Sequence, residues 1–248
     1  MESWHIMPIR HRSATFLAIL ALVLSGHVLS PPANAATAYN SHRGPNYTDR
    51  AVLTFDDCPR SLSSYESVLE YAEEENLGLV LAPTGDCVTR FREEEDEDIV
   101  LLARSYGQYV INHSIHHRDL RKLSCAGVAA ELRAPGVVTN FGRPPFGGIN
   151  KTVLCGYQRA KMQPWLWTVN PRDFLGKSRT EVVDYVVANG RKGSTIIMHM
   201  QWRGFSPRAL DLMKDGLAAK GIKLCRAYGG ATGRITTAPA KLPARLPC

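Results

Sequence analysis

The sequence predicts an α/β protein whose mainly parallel sheet, open or closed into a barrel, is covered by helices. Three observations predict it. Short apolar runs at residues 51–55, 77–81, 109–111, 165–169 and 195–198 alternate with stretches of helical periodicity. Side chains able to do chemistry stand at the carboxyl ends of these runs, where β/α folds open their ligand crevice. Hydrophobic residues make up 44% of the 248 residues and charged ones 21%, enough to pack a core and unlike a disordered chain. Glycine and proline are dispersed, which excludes a collagen-like repeat.

Taken in order, residues 1–35 read as a secretory signal. Arg10, His11 and Arg12 form its basic start, an apolar stretch runs from Ala14 to Leu29, and Ala33-Asn-Ala35 fits the small-x-small rule of a cleavage site. The apolar stretch is broken by Ser25, Gly26 and His27, and no later segment has 18 consecutive apolar residues, so no stable membrane anchor is expected after cleavage. Residues 36–49 are a polar leader. Residues 51–55 are a buried strand stopped at Asp56-Asp-Cys-Pro59, residues 65–74 carry helical spacing through Tyr65, Val68, Leu69 and Ala72, and residues 77–81 form a second strand closing at Pro83-Thr-Gly85. The acidic run 93–98 is expected as the first turn of a helix, where acids meet the positive end of the dipole.

Residues 109–111 make a third strand and 120–132 are mostly helical. Arg143-Pro-Pro-Phe-Gly-Gly148 can continue neither a helix nor a central strand and reads as a stiff loop. Residues 165–169 are strand-like, 181–188 helical, 195–198 a buried strand and 207–220 a long helix before 222–225. Residues 229–248, rich in Ala, Pro, Gly and Thr, are an extended tail that Cys248 could tie down.

The formal charge is +7, and removing Arg10, Arg12 and Glu2 with the signal lowers it by one. Such a chain is drawn to anionic polymers, but no basic stripe alternates with aromatics, so nucleic acid is not an expected partner. Cys58, Cys87, Cys125, Cys155, Cys225 and Cys248 all follow the signal. An even number in an exported chain points to disulfides, with the pairing left open; no CxxC pair is present. Asn46-Tyr-Thr48 and Asn112-His-Ser114 match glycosylation sequons and are read as incidental.

Asp56 and Asp57 follow the first strand, His113 and His117 the third, Asp173 the Trp-rich run, and His199 the strand 195–198. A spacing of four places His113 and His117 on one face if the segment is helical, and Asp57 would complete two imidazoles and one carboxylate, a set suited to zinc. Solvated surface histidines are the alternative, and His116 could replace His117 in another local geometry. Two adjacent carboxylates in a crevice need compensation, which a cation at Asp57 and an arginine, Arg143, at Asp56 would supply. His199 is either a structural core histidine or an acid–base group whose ring Asp173 fixes.

These segments, in order, resemble the polysaccharide deacetylases with a NodB-type homology domain, carbohydrate esterase family 4. The resemblance covers residues 50–228 and runs through Thr54-Phe-Asp-Asp-Cys-Pro59, His113-Ser-Ile-His-His117, Arg143-Pro-Pro-Phe-Gly147, Trp167-Thr-Val-Asn-Pro-Arg-Asp-Phe174 and Ile196-Ile-Met-His199. It implies a distorted, incomplete (β/α) barrel, and a divalent metal, usually zinc, held by Asp57, His113 and His117. It makes Asp56 the base tethered by Arg143, and His199 the acid oriented by Asp173. Ile197 would line an acetyl-methyl pocket, Phe146 and Phe174 the groove, and the Phe146 N–H would help hold the developing oxyanion. The implied reaction removes N-acetyl groups from chitin-like oligomers or peptidoglycan, outside the cell or in its wall. An O-acetyl (xylan) esterase using the same residues and a secreted carbohydrate-binding protein with impaired catalysis are the alternatives. The chain departs from the family at Cys58, where glycine is usual, at Asn170 for aspartate, and at Phe174 for tryptophan. A Cys58 thiolate would stand beside Asp57 as a competing ligand.

Overall fold

A computed structural model of the protein describes residues 39–248 together with Met1 and Ser3. Apart from those two residues, the expected signal 1–35 lies outside the described residues, as do residues 36–38 of the leader.

Six strands occur among the described residues: β1 (Val52–Asp57), β2 (Val80–Pro83), β3 (Tyr109–Val110), β4 (Phe141–Gly142), β5 (Gln163–Pro164) and β6 (Thr195–His199). Four form a parallel sheet in the order β3-β2-β1-β6, and β4 pairs in parallel with β5. Single bridges continue the ring, Asn112 with Gly142 of β4 on one side and, on the other, Val169 of the segment after β5 with Ile196 of β6. The ring therefore closes, partly through one-residue bridges instead of full strands, as a distorted (β/α) barrel.

The period-two alternation of β1 sorts its side chains. Leu53 and Phe55 join the large core under the helices, while Val52 joins Val80, Ala82, Tyr109, Ile111, Phe141 and Trp165 in a second cluster. Thr54 and Asp56 share the face of Val52 by this alternation. Burial at about 25 cal/mol per Å² of apolar surface favours such a register, since a slip of one residue would exchange the two faces. Leu242, Leu246 and Cys248 reach this second cluster, and a disulfide joins Cys248 to Cys225.

The helices are α1 (Leu62–Glu74), α2 (Gly85–Glu94), α3 (Ile99–Ser105), α4 (Cys125–Glu131), α5 (Lys151–Arg159), α6 (Arg179–Asn189) and α7 (Pro207–Ala219). Their starts are set by side chains that accept otherwise unpaired N–H groups: Ser61 and Ser178 in capping boxes, Thr84, Asp98, Ser124, Asn150 and Ser206 as simple caps. Tyr65, Val68, Leu69 and Ala72 are the buried stripe of α1, as their spacing predicts.

Several elements differ from expectation. The segment after Gly85 is helical, with Cys87, Val88 and Phe91 buried, although its Arg and Glu content hides the apolar stripe. The acidic run therefore closes α2, and from it only Asp98 caps α3. Residues 120–132 divide into a 3₁₀ turn, Leu120–Lys122, and α4, with Ser124 as the new cap. α5 also lies beyond the predicted set. Residues 165–169 are mostly irregular, because Trp165 and Val169 bond in turn to β4 and β6. Both sequons are sequestered: Asn46 and Asn112 are buried and donate their amides to the Arg50 and Leu132 carbonyls.

Candidate metal centre and catalytic pocket

The carboxyl ends of the strands gather every predicted site residue but two, Arg143 and Asp173, around one cavity of about 400 Å³. Asp56, Asp57, His113, His117, Phe146, Phe174, Ile197 and His199 line it, joined by Pro144, Gly147, Trp167 and Asn170. Arg143 and Asp173 are fully buried and hold lining residues from behind.

Asp57, His113 and His117 offer one ligand atom each, all within 4.8 Å of one another. Asp57 Oδ1 is 3.4 Å from Nε2 of both histidines. The histidines do not meet as neighbours on a helix. They lie in a loop whose Ser114 (φ 64°) and His117 (φ 51°) are left-handed, and this turning brings the ring centroids to 5.0 Å. His116 faces away and pairs through Nδ1 with Asp86 (2.9 Å).

The donor chemistry fits a divalent metal. His113 Nδ1 donates to the Arg143 carbonyl (2.8 Å), which leaves Nε2 as the lone-pair nitrogen. That Nε2 is buried and has no hydrogen-bond partner, a costly arrangement unless something else fills the position. Gln201 Nε2 donates to Asp57 Oδ2 (2.8 Å) and so directs Oδ1 toward the imidazoles. Burial works to raise the Asp57 pKa, yet the adjacent His113 imidazole, the Gln201 hydrogen bond and the nearby His199 together hold it well below the usual carboxylate range. Burial, and then the neighbouring His113 ring, lower the His117 pKa, which favours the neutral, lone-pair form of that ring.

Arg143 fills the space beneath. Its Nη1 donates to Asp56 Oδ1 (2.7 Å) and Thr54 Oγ1 (2.9 Å), its Nε to the Trp165 carbonyl (2.9 Å) and its Nη2 to the Leu166 carbonyl (3.2 Å). A buried guanidinium is tolerable because its donors and charge are both compensated. Asp56 Oδ2 remains free of Arg143 and lies 3.7 Å from His113 Nε2.

On the opposite wall, Asp173 accepts from the His199 backbone N–H and pairs with its Nδ1, each at 2.8 Å. The other ring nitrogen, Nε2, is left for the cavity. Burial works to lower the His199 pKa, but the Asp173 hydrogen bond and the charges of Asp56, Asp173 and Asp57 raise it above the ordinary histidine value.

Phe146 packs edge-on to His117 at 4.7 Å, and Phe174 edge-on to His199 at 5.5 Å. Both rings are more than two-fifths exposed, an orientation that suits contact with a ligand. Phe146 is itself left-handed (φ 59°), held between Pro145 and Gly147. Gly147 (φ 64°) lies against Trp167, whose ring a Cβ would approach to 2.5 Å, so a side chain there would displace the indole that lines the cavity. Of the eight non-glycine residues with positive φ among the described residues, Asp57, Ser114, His117, Phe146 and Arg172 belong to the loops of this site, where backbone strain is concentrated.

Trp167, Asn170 and Gln201 had no assigned role in the sequence. Trp167 and Asn170 stood inside a recognised motif, whereas nothing local marks Gln201. The expectation of a Cys58 thiolate beside Asp57 is corrected: Cys58 is joined to Cys87, and the other four cysteines pair as Cys125–Cys155 and Cys225–Cys248. A disulfide sulfur carries no thiolate charge and is no competing ligand.

Comparisons with known proteins find similar sequences and a similar fold. The polysaccharide deacetylase family model matches residues 43–165. A chitooligosaccharide deacetylase of Rhizobium leguminosarum bv. trifolii is 26% identical over 161 residues, 61% of this chain and 72% of its own length. A peptidoglycan-N-acetylmuramic acid deacetylase of Bacillus subtilis is 26% identical over 181 residues, 70% of this chain; the chain spans only 37% of that relative's length. The solved structure of a peptidoglycan deacetylase from Bacillus subtilis, 26% identical, superposes with a TM-score of 0.60, covering 72% of this chain and 88% of that one. With a distorted barrel, an Asp-His-His cluster at its mouth and this match in sequence and structure, the chain is a homologue of the NodB-type polysaccharide deacetylases of carbohydrate esterase family 4.

Proposed function

We propose that the protein is a metal-dependent deacetylase that hydrolyses N-acetyl groups on a cell-wall or extracellular polysaccharide, chitin-like or peptidoglycan. The observation that carries this reading is the convergence of three groups in one cavity: the Asp57, His113, His117 donor set, the Asp56–Arg143 pair and the His199–Asp173 pair.

Asp57, His113 and His117 would hold the ion, and zinc suits two imidazoles with one carboxylate. When bound, it supplies Lewis-acid polarisation of the acetyl carbonyl. The chain supplies the proton transfers. Asp56, fixed through Oδ1 by Arg143, receives at Oδ2 the proton of the attacking water. His199 Nε2 donates a proton to the departing sugar nitrogen, which is a poor leaving group without it, and Asp173 holds the ring for that step. The Phe146 N–H donates to the carbonyl oxygen as charge develops there, where a fixed donor stabilises the transition state more than the substrate. Ile197 receives the acetyl methyl, and Phe146 and Phe174 flank the sugar.

Export is part of the same reading. All six cysteines are paired, and one relative is a peptidoglycan-N-acetylmuramic acid deacetylase, both of which suit an oxidising, wall-associated setting. No helix among the described residues is long and apolar enough to cross a membrane.

Acetate release from N-acetylglucosamine oligomers, peptidoglycan and acetylated xylan, with metal analysis on the same sample, tests the proposal. Release from the first two at stoichiometric zinc is expected. Release from xylan alone identifies the O-acetyl esterase, and binding without release the impaired binder.

A further inference from the structure

Asp57 is the one member of the metal triad that comes from a strand, and its backbone is left-handed (φ 70°). The next residue, Cys58, is bonded to Cys87 in the first turn of α2. That same turn also reaches the loop that carries His113 and His117. Gly85 N–H donates to the Ser114 carbonyl (2.9 Å), Asp86 N–H to the Ile115 carbonyl (3.0 Å), and the Asp86 carboxylate pairs with His116. Gly85 sits so close to this loop that a Cβ would come within 3.0 Å of Ile115 Cα and 2.8 Å of Pro135 Cδ. One turn of helix is thus tied covalently beside one metal ligand and by hydrogen bonds to the loop carrying the other two.

We infer that the Cys58–Cys87 disulfide is a positioning element for the metal centre, setting Asp57 against His113 and His117 through the first turn of α2. The inference rests on the triad as the metal site and goes beyond it. The 113–117 loop has no helical ladder and is held by bonds to the Asn112, Ser114 and Glu131 side chains, and Asp57, whose carboxylate Gln201 also holds, is left-handed at the end of β1, so the first turn of α2 is the direct tie between the two halves. Arg90, further along α2, donates to the Pro59 carbonyl (3.1 Å), but this half-exposed contact is weak beside a covalent bond. Breaking the disulfide frees Asp57 to turn away while leaving every ligand side chain intact.

The other disulfides provide the control. Cys125–Cys155 spans 30 residues and Cys58–Cys87 spans 29, so the two remove nearly the same loop entropy from the unfolded chain. Neither Cys125 nor Cys155 adjoins a triad residue in sequence. A loss of stability common to both pairs is therefore separable from a loss of positioning.

Zinc affinity, by competition with a chelator, and thermal stability of the metal-free protein are measured for the wild type and for the Cys58→Ala/Cys87→Ala and Cys125→Ala/Cys155→Ala variants. Both variants should lose similar stability, but only the first should lose metal affinity, by about 10–100-fold, the range found when groups orienting metal ligands are removed. Unchanged affinity in the first variant, or equal losses in both, overturns the inference. Wild-type protein that takes up no metal overturns the triad itself, a distinct outcome.

Should the first variant fail to fold, the reciprocal measurement uses wild-type protein. Two glutathione molecules reduce one disulfide to two cysteine thiols, giving one glutathione disulfide, and the position of this equilibrium is read by alkylation and peptide mass mapping. By linkage, free zinc held by a chelator buffer must make Cys58–Cys87 harder to reduce by the factor that the disulfide adds to zinc affinity, and leave Cys125–Cys155 unmoved. No zinc effect on Cys58–Cys87 overturns the inference.

Discussion

Asp56 and Asp57 are neighbours of the same residue type, and their surroundings divide the work between them. Arg143 occupies one oxygen of Asp56, whereas Gln201 and the two imidazoles surround Asp57. Asp56→Asn keeps the shape and the metal but removes the proton acceptor. Its kcat should fall roughly 10²–10⁴-fold, about 3 to 5 kcal/mol of barrier, with zinc content unchanged. Loss of zinc in that variant would move Asp56 into the metal shell. His199 has a raised pKa, so its protonated, proton-donating form persists to higher pH than in an ordinary histidine. The alkaline limb of kcat on an N-acetyl substrate should therefore lie above about pH 6.5. Asp173→Asn removes a group that raises the pKa and should move the limb to lower pH as well as lowering kcat. The same shift stabilises the fold fully below the unfolded-state value near 6.5 and loses that contribution as pH rises through the higher folded value.

At the level of elements, the strand ends were legible because a buried strand is an unbroken apolar run and the polar residue ending it stands out. That reading placed Asp56, Asp57, His113 and His199 without a structure. α2 was not legible: Cys87, Val88 and Phe91 are too few apolar positions among Arg and Glu to show a helical stripe, and the pairing of Cys87 with Cys58 depends on the tertiary fold. The 113–117 loop shows a different limit. Spacing of four suggested one helical face, whereas two left-handed residues converge the rings by another route. The reassigned acidic run gives a test at this scale. Asp98 accepts from the Val100 and Leu101 N–H groups and pairs with Arg92, while Glu93 is exposed. Asp98→Ala should cost about 1–2 kcal/mol in urea unfolding, and Glu93→Ala less than about 0.5 kcal/mol. Equal effects would return the whole run to a helix start.

Over the whole molecule, the barrel turns its strand carboxyl ends to the metal triad, and its circle is closed by bridges at Asn112–Gly142 and Val169–Ile196. Three disulfides, spanning 29, 30 and 23 residues, supplement that partial ladder. Each contributes on the order of 3 kcal/mol through the unfolded chain, so together they are comparable to the net stability of a domain. Alkylation of freshly purified protein without reductant should modify no cysteine, and reduction should lower the unfolding midpoint sharply; six modified cysteines would contradict the pairing.

The central claim is that Asp57, His113 and His117 hold the metal on which deacetylation depends. Its most direct test is zinc stoichiometry and acetate release, measured on the same samples of wild type, His113→Ala, His117→Ala and His116→Ala. The account predicts about one zinc per chain with acetate release in the wild type and His116→Ala, and loss of most zinc and activity in the other two variants. Full zinc retained in both His113→Ala and His117→Ala would contradict it.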